Sequence, residues 1–131
     1  MTPAHRVAIG WAPALLWFAL IFILSSQPSL PSPGRISDKQ AHAFTYGVLA
    51  ILCLMGLTGW RSRRVAGASL LAAFAIAVVY GVSDEIHQSF VPGRTPDVAD
   101  VIADAVGAAC ALTAAWGWAI LAGRPSSLPR A

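Results

Sequence analysis

The sequence predicts an all-α protein, a polytopic integral membrane four-helix bundle. The composition is 56 % apolar with only 11 % charged residues, well outside the soluble globular range. The apolar residues gather into four runs separated by short polar stretches. The basic residues sit in small clusters between those runs instead of on one soluble face, so the net charge of +3 reads as membrane orientation and no nucleic-acid partner is expected. Lipid is the expected solvent.

A spanning helix needs about 20 apolar residues, because about 30 Å of hydrocarbon is crossed at about 1.5 Å per residue. The first run, Val7 to Leu24, is longer than the apolar stretch of a signal peptide and no small-x-small cleavage motif follows it, which predicts a retained span. Pro28, Pro31, Pro33 and Gly34 then rule out continued helix and predict a turning connection from Ser25 to Gly34. The second run extends from Ala41 to Trp60, the third from Val65 to Ser83 and the fourth from Val101 to Ala122. Residues 1–123 read as one domain, and 124–131 as a disordered cytoplasmic tail with too little apolar surface to fold. No internal repeat or sustained heptad is present. Cys53 and Cys110 each lie within an apolar run, where thiols are expected to pack among helices rather than form a disulfide.

Orientation follows from lysine and arginine, which are retained on the cytoplasmic side. Arg6, Arg61, Arg63, Arg64, Arg124 and Arg130 fall on one side of the four runs, whereas Arg35, Lys39 and Arg94 fall on the other. This places the protein in the cell membrane as a multi-pass chain with both termini cytoplasmic. Trp11, Trp60, Trp116 and Trp118 then stand towards the cytoplasmic headgroups, and Trp17 is mid-span and expected to pack.

All six acidic residues, Asp38, Asp84, Glu85, Asp97, Asp100 and Asp104, fall on the opposite, outer side. Ionisable groups near or inside lipid are costly and face a bundle interior or a wet cleft. Asp38, His42 and Tyr46 recur every four residues at the start of span two and share a helix face, with Lys39 one position round. Span three ends in Asp84-Glu85-Ile86-His87-Gln88, and Pro92-Gly93 predicts a turn that returns Arg94 towards the bundle. Asp97, Asp100 and Asp104 lie on one face of span four, where Asp97 suits an N-cap or a first-turn acid. The plainer reading is that loop-facing acids are solvated, that His87 is an interfacial histidine, and that Gln88 and Tyr46 are interhelical glue. Gly107, Ala108 and Ala111 on span four, with Ala43 and Gly47 on span two, read as close-packing residues.

These motifs resemble the VanZ-like membrane proteins, a family named for a protein associated with low-level resistance to the glycopeptide teicoplanin. The resemblance is carried by Ser25-Ser26-Gln27, by Asp38-Lys39 with His42 and Tyr46, and by Asp84-Glu85 with Gln88. Its strongest part is Pro92-Gly93-Arg94-Thr95-Pro96-Asp97 followed by Asp100, Asp104 and Gly107. It implies a four-span bacterial cell-envelope protein, a family whose biochemical activity is not well established. Asparagine is usual in the family where this chain has Asp104, which adds a negative charge here, to be protonated or paired with Arg94 or Lys39.

The sequence has no Walker A loop, no His-Glu-x-x-His pair and no Gly-x-Ser-x-Gly elbow. The glycine and arginine pattern of CDP-alcohol phosphotransferases is also absent. Two readings stay open. In one, Lys39 and Arg94 hold an anionic lipid headgroup or a lipid-linked envelope precursor, His42 and Glu85 supply acid-base chemistry, and Asp38, Tyr46, Gln88, Asp97, Asp100 and Asp104 line the site. A divalent ion on Glu85, Asp97 or Asp100 is a variant of that reading. In the other, the polar cluster locks the helices together in a non-catalytic binding or shielding protein. The sequence leaves any cofactor undetermined, and four short helices leave a homodimer open.

Overall fold

The structure, a computed structural model, describes residues 3–28, 37–59 and 65–122, with side chains in the first segment from Ile9 onward. Four helices make up the fold: α1 (Pro3–Ser25), α2 (Asp38–Thr58), α3 (Gly67–Gln88) and α4 (Val98–Ala122). The expected tail at 124–131, the arginine loop around 61–64 and most of the proline-rich connection lie outside the described residues.

Helices α2, α3 and α4 are long and apolar enough to cross a membrane, and the apolar part of α1 covers Ile9–Ser25. The outer surface repeats that message. Leu16, Phe44, Leu71, Val79 and Trp118 are each about 70 % exposed, a distribution suited to hydrocarbon and not to water. The interior is built instead from small and medium residues, Ala14, Leu49, Ala50, Cys53, Ala73, Ala77, Ala108 and Leu112 among them. Between helices in lipid there is little hydrophobic driving force, so close van der Waals packing of small residues takes its place.

Helix α2 is the centre of the bundle, packing most extensively on α4 and also against α1 and α3. The α2–α4 seam is tight because Gly107 has no side chain: a Cβ there would overlap the backbone carbonyl of Ala43. Gly47 and Ala111 meet the same seam one turn along, so Ala43, Gly47, Gly107 and Ala111, four of the small residues singled out in the sequence, form it. On the α1 side, the Trp17 indole N–H donates to the Thr45 carbonyl at 3.0 Å, in keeping with its expected packing role. Trp11 rests against Gly56 of α2. The Tyr80 hydroxyl donates to the Phe18 carbonyl at 2.7 Å and ties α3 to α1. Cys53 is buried, Cys110 is exposed, and both are free.

The helices run further towards the polar end than the apolar runs do. Helix α2 starts at Asp38, three residues before Ala41, because Ser37 and Gln40 form a reciprocal capping box over its first turn. Helix α3 continues past Ser83 to Gln88, and α4 starts at Val98 instead of Val101. Hydropathy marks where a helix meets lipid, whereas a helix continues wherever its polar side chains find partners.

Candidate functional site

The six acids converge with His42, Lys39 and Arg94 at this polar end. Helix α2 supplies a stripe at four-residue intervals. His42 is mostly buried, and its ring lies parallel to that of Tyr46 with centroids 6.3 Å apart. Tyr46 beneath it is 1 % exposed, and its hydroxyl has no partner among the described residues.

Helix α4 meets that stripe across the tight seam. Asp104, 1 % exposed, accepts from His42 Nδ1 at 3.0 Å. Its partner is therefore His42, which was not among the alternatives the sequence left open, protonation or pairing with Arg94 or Lys39. The reason is rotational: Gly107 brings α4 onto α2 so that Asp104, three residues earlier, faces the second turn of α2. One turn nearer the surface, Asp100 presents Oδ2 to His42 Nε2 at 4.0 Å, while its Oδ1 takes Lys39 Nζ at 2.5 Å. Lys39 also reaches Asp97 at 2.6 Å, so its charge is shared between two carboxylates. Asp97 caps α4 by accepting from the Ala99 N–H at 2.8 Å. The hydrogen bond from Lys39, then that from Ala99, hold the Asp97 carboxyl below the usual carboxylate range.

Helix α3 closes the third side. Glu85 is buried and its Oε2 accepts the Asp97 backbone N–H at 2.8 Å, which pins the start of α4 to the end of α3. Asp84, also buried, accepts from Gln88 Nε2 at 3.0 Å. The chain then turns at Val91-Pro92-Gly93-Arg94, closed by the Arg94 N–H donating to the Val91 carbonyl at 3.1 Å. The φ of 82° at Gly93 is the left-handed value required at the third position of a type II turn. This turn carries Arg94 back to the bundle, as its Pro-Gly pair predicts.

A cavity of about 200 Å³ opens here, lined by Asp38, His42, Gln88, Arg94 and Asp100 together with Pro28, Gly93 and Thr95. The Nε of Arg94 is buried there without a hydrogen-bond partner among the described residues. Five sequence-selected residues thus share one cavity. Asp104 and Tyr46 lie behind His42, Lys39 and Asp97 form a lateral ion pair, and Glu85 is engaged in capping. His87 belongs elsewhere: its Nε2 is 3.0 Å from Ser26 Oγ and its ring packs on Phe22 of α1.

A model of the VanZ/LLP1 family matches residues 34–121. The chain belongs to the VanZ/LLP1 family. No curated protein and no solved structure matches it. The VanZ/LLP1 match takes in α2, α3 and nearly all of α4, hence every residue around the cavity except Pro28. The Ser25-Ser26-Gln27 portion of the resemblance lies ahead of the matched region.

Asp84 was not among the sequence-selected site residues, although it is buried within the VanZ/LLP1 polar end. Its signal was the Gln88 four residues on, the spacing at which helical side chains meet. Asp38, His42 and Asp100 each offer one ligand atom, all within 4.8 Å of one another. The sequence had proposed Glu85, Asp97 or Asp100 for that purpose. Only Asp100 belongs to this group, because Glu85 is turned to the α4 backbone and Asp97 to Lys39.

Proposed function

We propose that this VanZ/LLP1 chain is a four-span cell-envelope protein whose outer-face cavity holds the anionic headgroup of a lipid or a lipid-linked envelope precursor. The observation that carries the reading is Arg94, turned into a cavity beside His42 with its Nε buried and unpartnered among the described residues. Lys39 is already engaged by Asp97 and Asp100. Among the described residues Arg94 is therefore the cation with donors to spare for a phosphate or carboxylate, and its planar fork matches such groups. His42, backed by Asp104, is the polar group that faces the bound headgroup from the cavity wall.

A hydrogen bond to a charged group contributes about 1.5–3 kcal/mol. Arg94→Gln should accordingly weaken binding of a polyprenyl phosphate to the detergent-purified protein by about tenfold or more. Through the family association, expression in a susceptible Gram-positive host should raise tolerance to teicoplanin, and Arg94→Gln at equal membrane abundance should remove the gain. Unchanged lipid affinity in the variant would sink the headgroup reading.

The proposed topology puts both termini in the cytoplasm, because six of the nine basic residues lie in the terminal segments and the 61–64 loop. A fluorescent protein fused after Ala131 should be bright and an alkaline phosphatase fused there inactive. The reverse pattern refutes it.

One set of observations favours a second reading, a structural lock. Lys39 with Asp97 and Asp100 and His42 with Asp104 join α2 to α4, and Glu85 on the Asp97 N–H joins α3 to the same helix. These contacts tie three helices at one end whether or not a ligand arrives.

A further inference from the structure

The polar end carries six carboxylates, of which Asp84, Glu85, Asp100 and Asp104 are each less than a tenth exposed. Against them, among the described residues, stand Lys39, Arg94 and the titratable His42. Burying this much unbalanced negative charge at a lipid boundary is costly unless protons or a cation neutralise it. The surplus is not spread evenly: Asp38, His42 and Asp100 direct one ligand atom each into the same small volume.

We infer that Asp38, His42 and Asp100 form a binding site for a divalent transition-metal ion of the zinc or manganese kind. Three features of the geometry support it. First, Asp100 is 6 % exposed, and its Oδ2 has no hydrogen-bond partner among the described residues although it lies 4.0 Å from His42 Nε2. That separation is too long for a hydrogen bond. It is close to the spacing of two atoms that share an ion, which is about 3.4 Å for tetrahedral bonds of about 2.1 Å. Second, His42 is held as metal-ligating histidines are. Its Nδ1 lies 3.0 Å from the buried Asp104 carboxylate and its Nε2 faces Asp100, so in the neutral tautomer that donates from Nδ1 to Asp104 the Nε2 lone pair is the one presented to Asp100. Third, Lys39 occupies Asp100 Oδ1, orienting the carboxylate so that Oδ2 turns to the cavity.

An imidazole with two carboxylates suits zinc or manganese better than magnesium, which prefers an all-oxygen shell and retains its waters. The site stands on ligand geometry and charge, and is independent of what else fills the cavity. An ion there also resolves how an anion could approach so many carboxylates, since it would offset their charge beside Arg94.

The full chain, purified in detergent and stripped with a chelator, is dialysed against Zn2+, Mn2+ or Mg2+ and its metal content measured. Expected is about one Zn2+ or Mn2+ per chain, undisturbed by equimolar Mg2+. Asp38→Asn and Asp100→Asn should each weaken binding by about tenfold or more, and His42→Ala should abolish it. Asp38 is exposed at the first turn of α2, so its variant keeps the fold and keeps the test readable if His42→Ala fails to assemble. Loading with Co2+ should give visible d–d bands and no thiolate charge-transfer band, because Cys53 and Cys110 lie outside the ligand set. The absence of a stoichiometric ion, equal competition by Mg2+, or an unaltered affinity in Asp38→Asn would overturn the inference. None of these outcomes depends on lipid, so the metal site and the headgroup reading stand or fall separately.

Discussion

Gly107→Leu should leave almost no folded protein in the membrane, while Gly117→Leu ten residues along the same helix should leave abundance unchanged. The contrast is spatial. A Cβ at position 107 would fall on the Ala43 carbonyl of α2, whereas one at position 117 meets nothing within 4 Å. Overpacking a core typically costs about 1–3 kcal/mol, and more where the obstacle is backbone that cannot rotate aside. The α2–α4 seam is also the most extensive contact in the bundle, so no other interface compensates for its loss. Quantified membrane abundance and detergent melting temperature check both variants. Equal melting of the two would mean that the seam does not hold the fold.

His42→Leu should destabilise the protein by about 3–5 kcal/mol, the usual consequence of removing one partner of a buried pair. Asp104 would then sit 1 % exposed with no donor on either oxygen, since its Oδ2 is already unpartnered among the described residues. His42→Gln should cost only about 1 kcal/mol, because the amide still donates a hydrogen bond. Asp104→Asn should be equally mild, because its Oδ1 still accepts from His42 Nδ1. The double change His42→Leu, Asp104→Leu should regain much of the stability lost in His42→Leu, because an apolar pair of similar bulk replaces the polar one. Function separates the two readings of the cluster. A folded His42→Gln variant that loses tolerance or metal binding identifies a working site, and one as unstable as His42→Leu identifies a lock.

Much of this arrangement was legible in local spacing. Asp38, His42 and Tyr46 fall four apart and do form one stripe; Pro92-Gly93 does turn Arg94 back; Gly107 and Ala43 do meet. Such features depend on helical periodicity or on a four-residue turn, which neighbours in the chain decide. The partner of Asp104 was not legible, because it depends on how far α4 is rotated and slid along α2, and residues 62 apart carry no local signal of that. Glu85 illustrates the same limit. Its position at the end of span three suited acid-base chemistry, and nothing there announced that a backbone N–H twelve residues on would take its Oε2 while Oε1 stays buried without a partner among the described residues. The helix ends at Asp38 and Gln88 escaped a hydropathy reading for a different reason, since capping and side-chain pairing, not lipid, sustain those turns.

The backbone-to-backbone contact at Gly107 and Ala43 bears on how the cavity would bind. Because the two helices touch there without intervening side chains, the separation of the backbones that carry His42 and Asp100 is set by the skeleton, and only small side-chain rotations remain to adjust their 4.0 Å gap. The freedom of Lys39, His42, Asp100 and Asp104 is largely surrendered when the chain folds, through the contacts they make with one another. An arriving ligand is thereby spared about 0.5–1.5 kcal/mol of ordering entropy for each side chain it would otherwise immobilise. A cavity of only about 200 Å³ can then reach useful affinity with few contacts, and should change little in shape between its free and bound states.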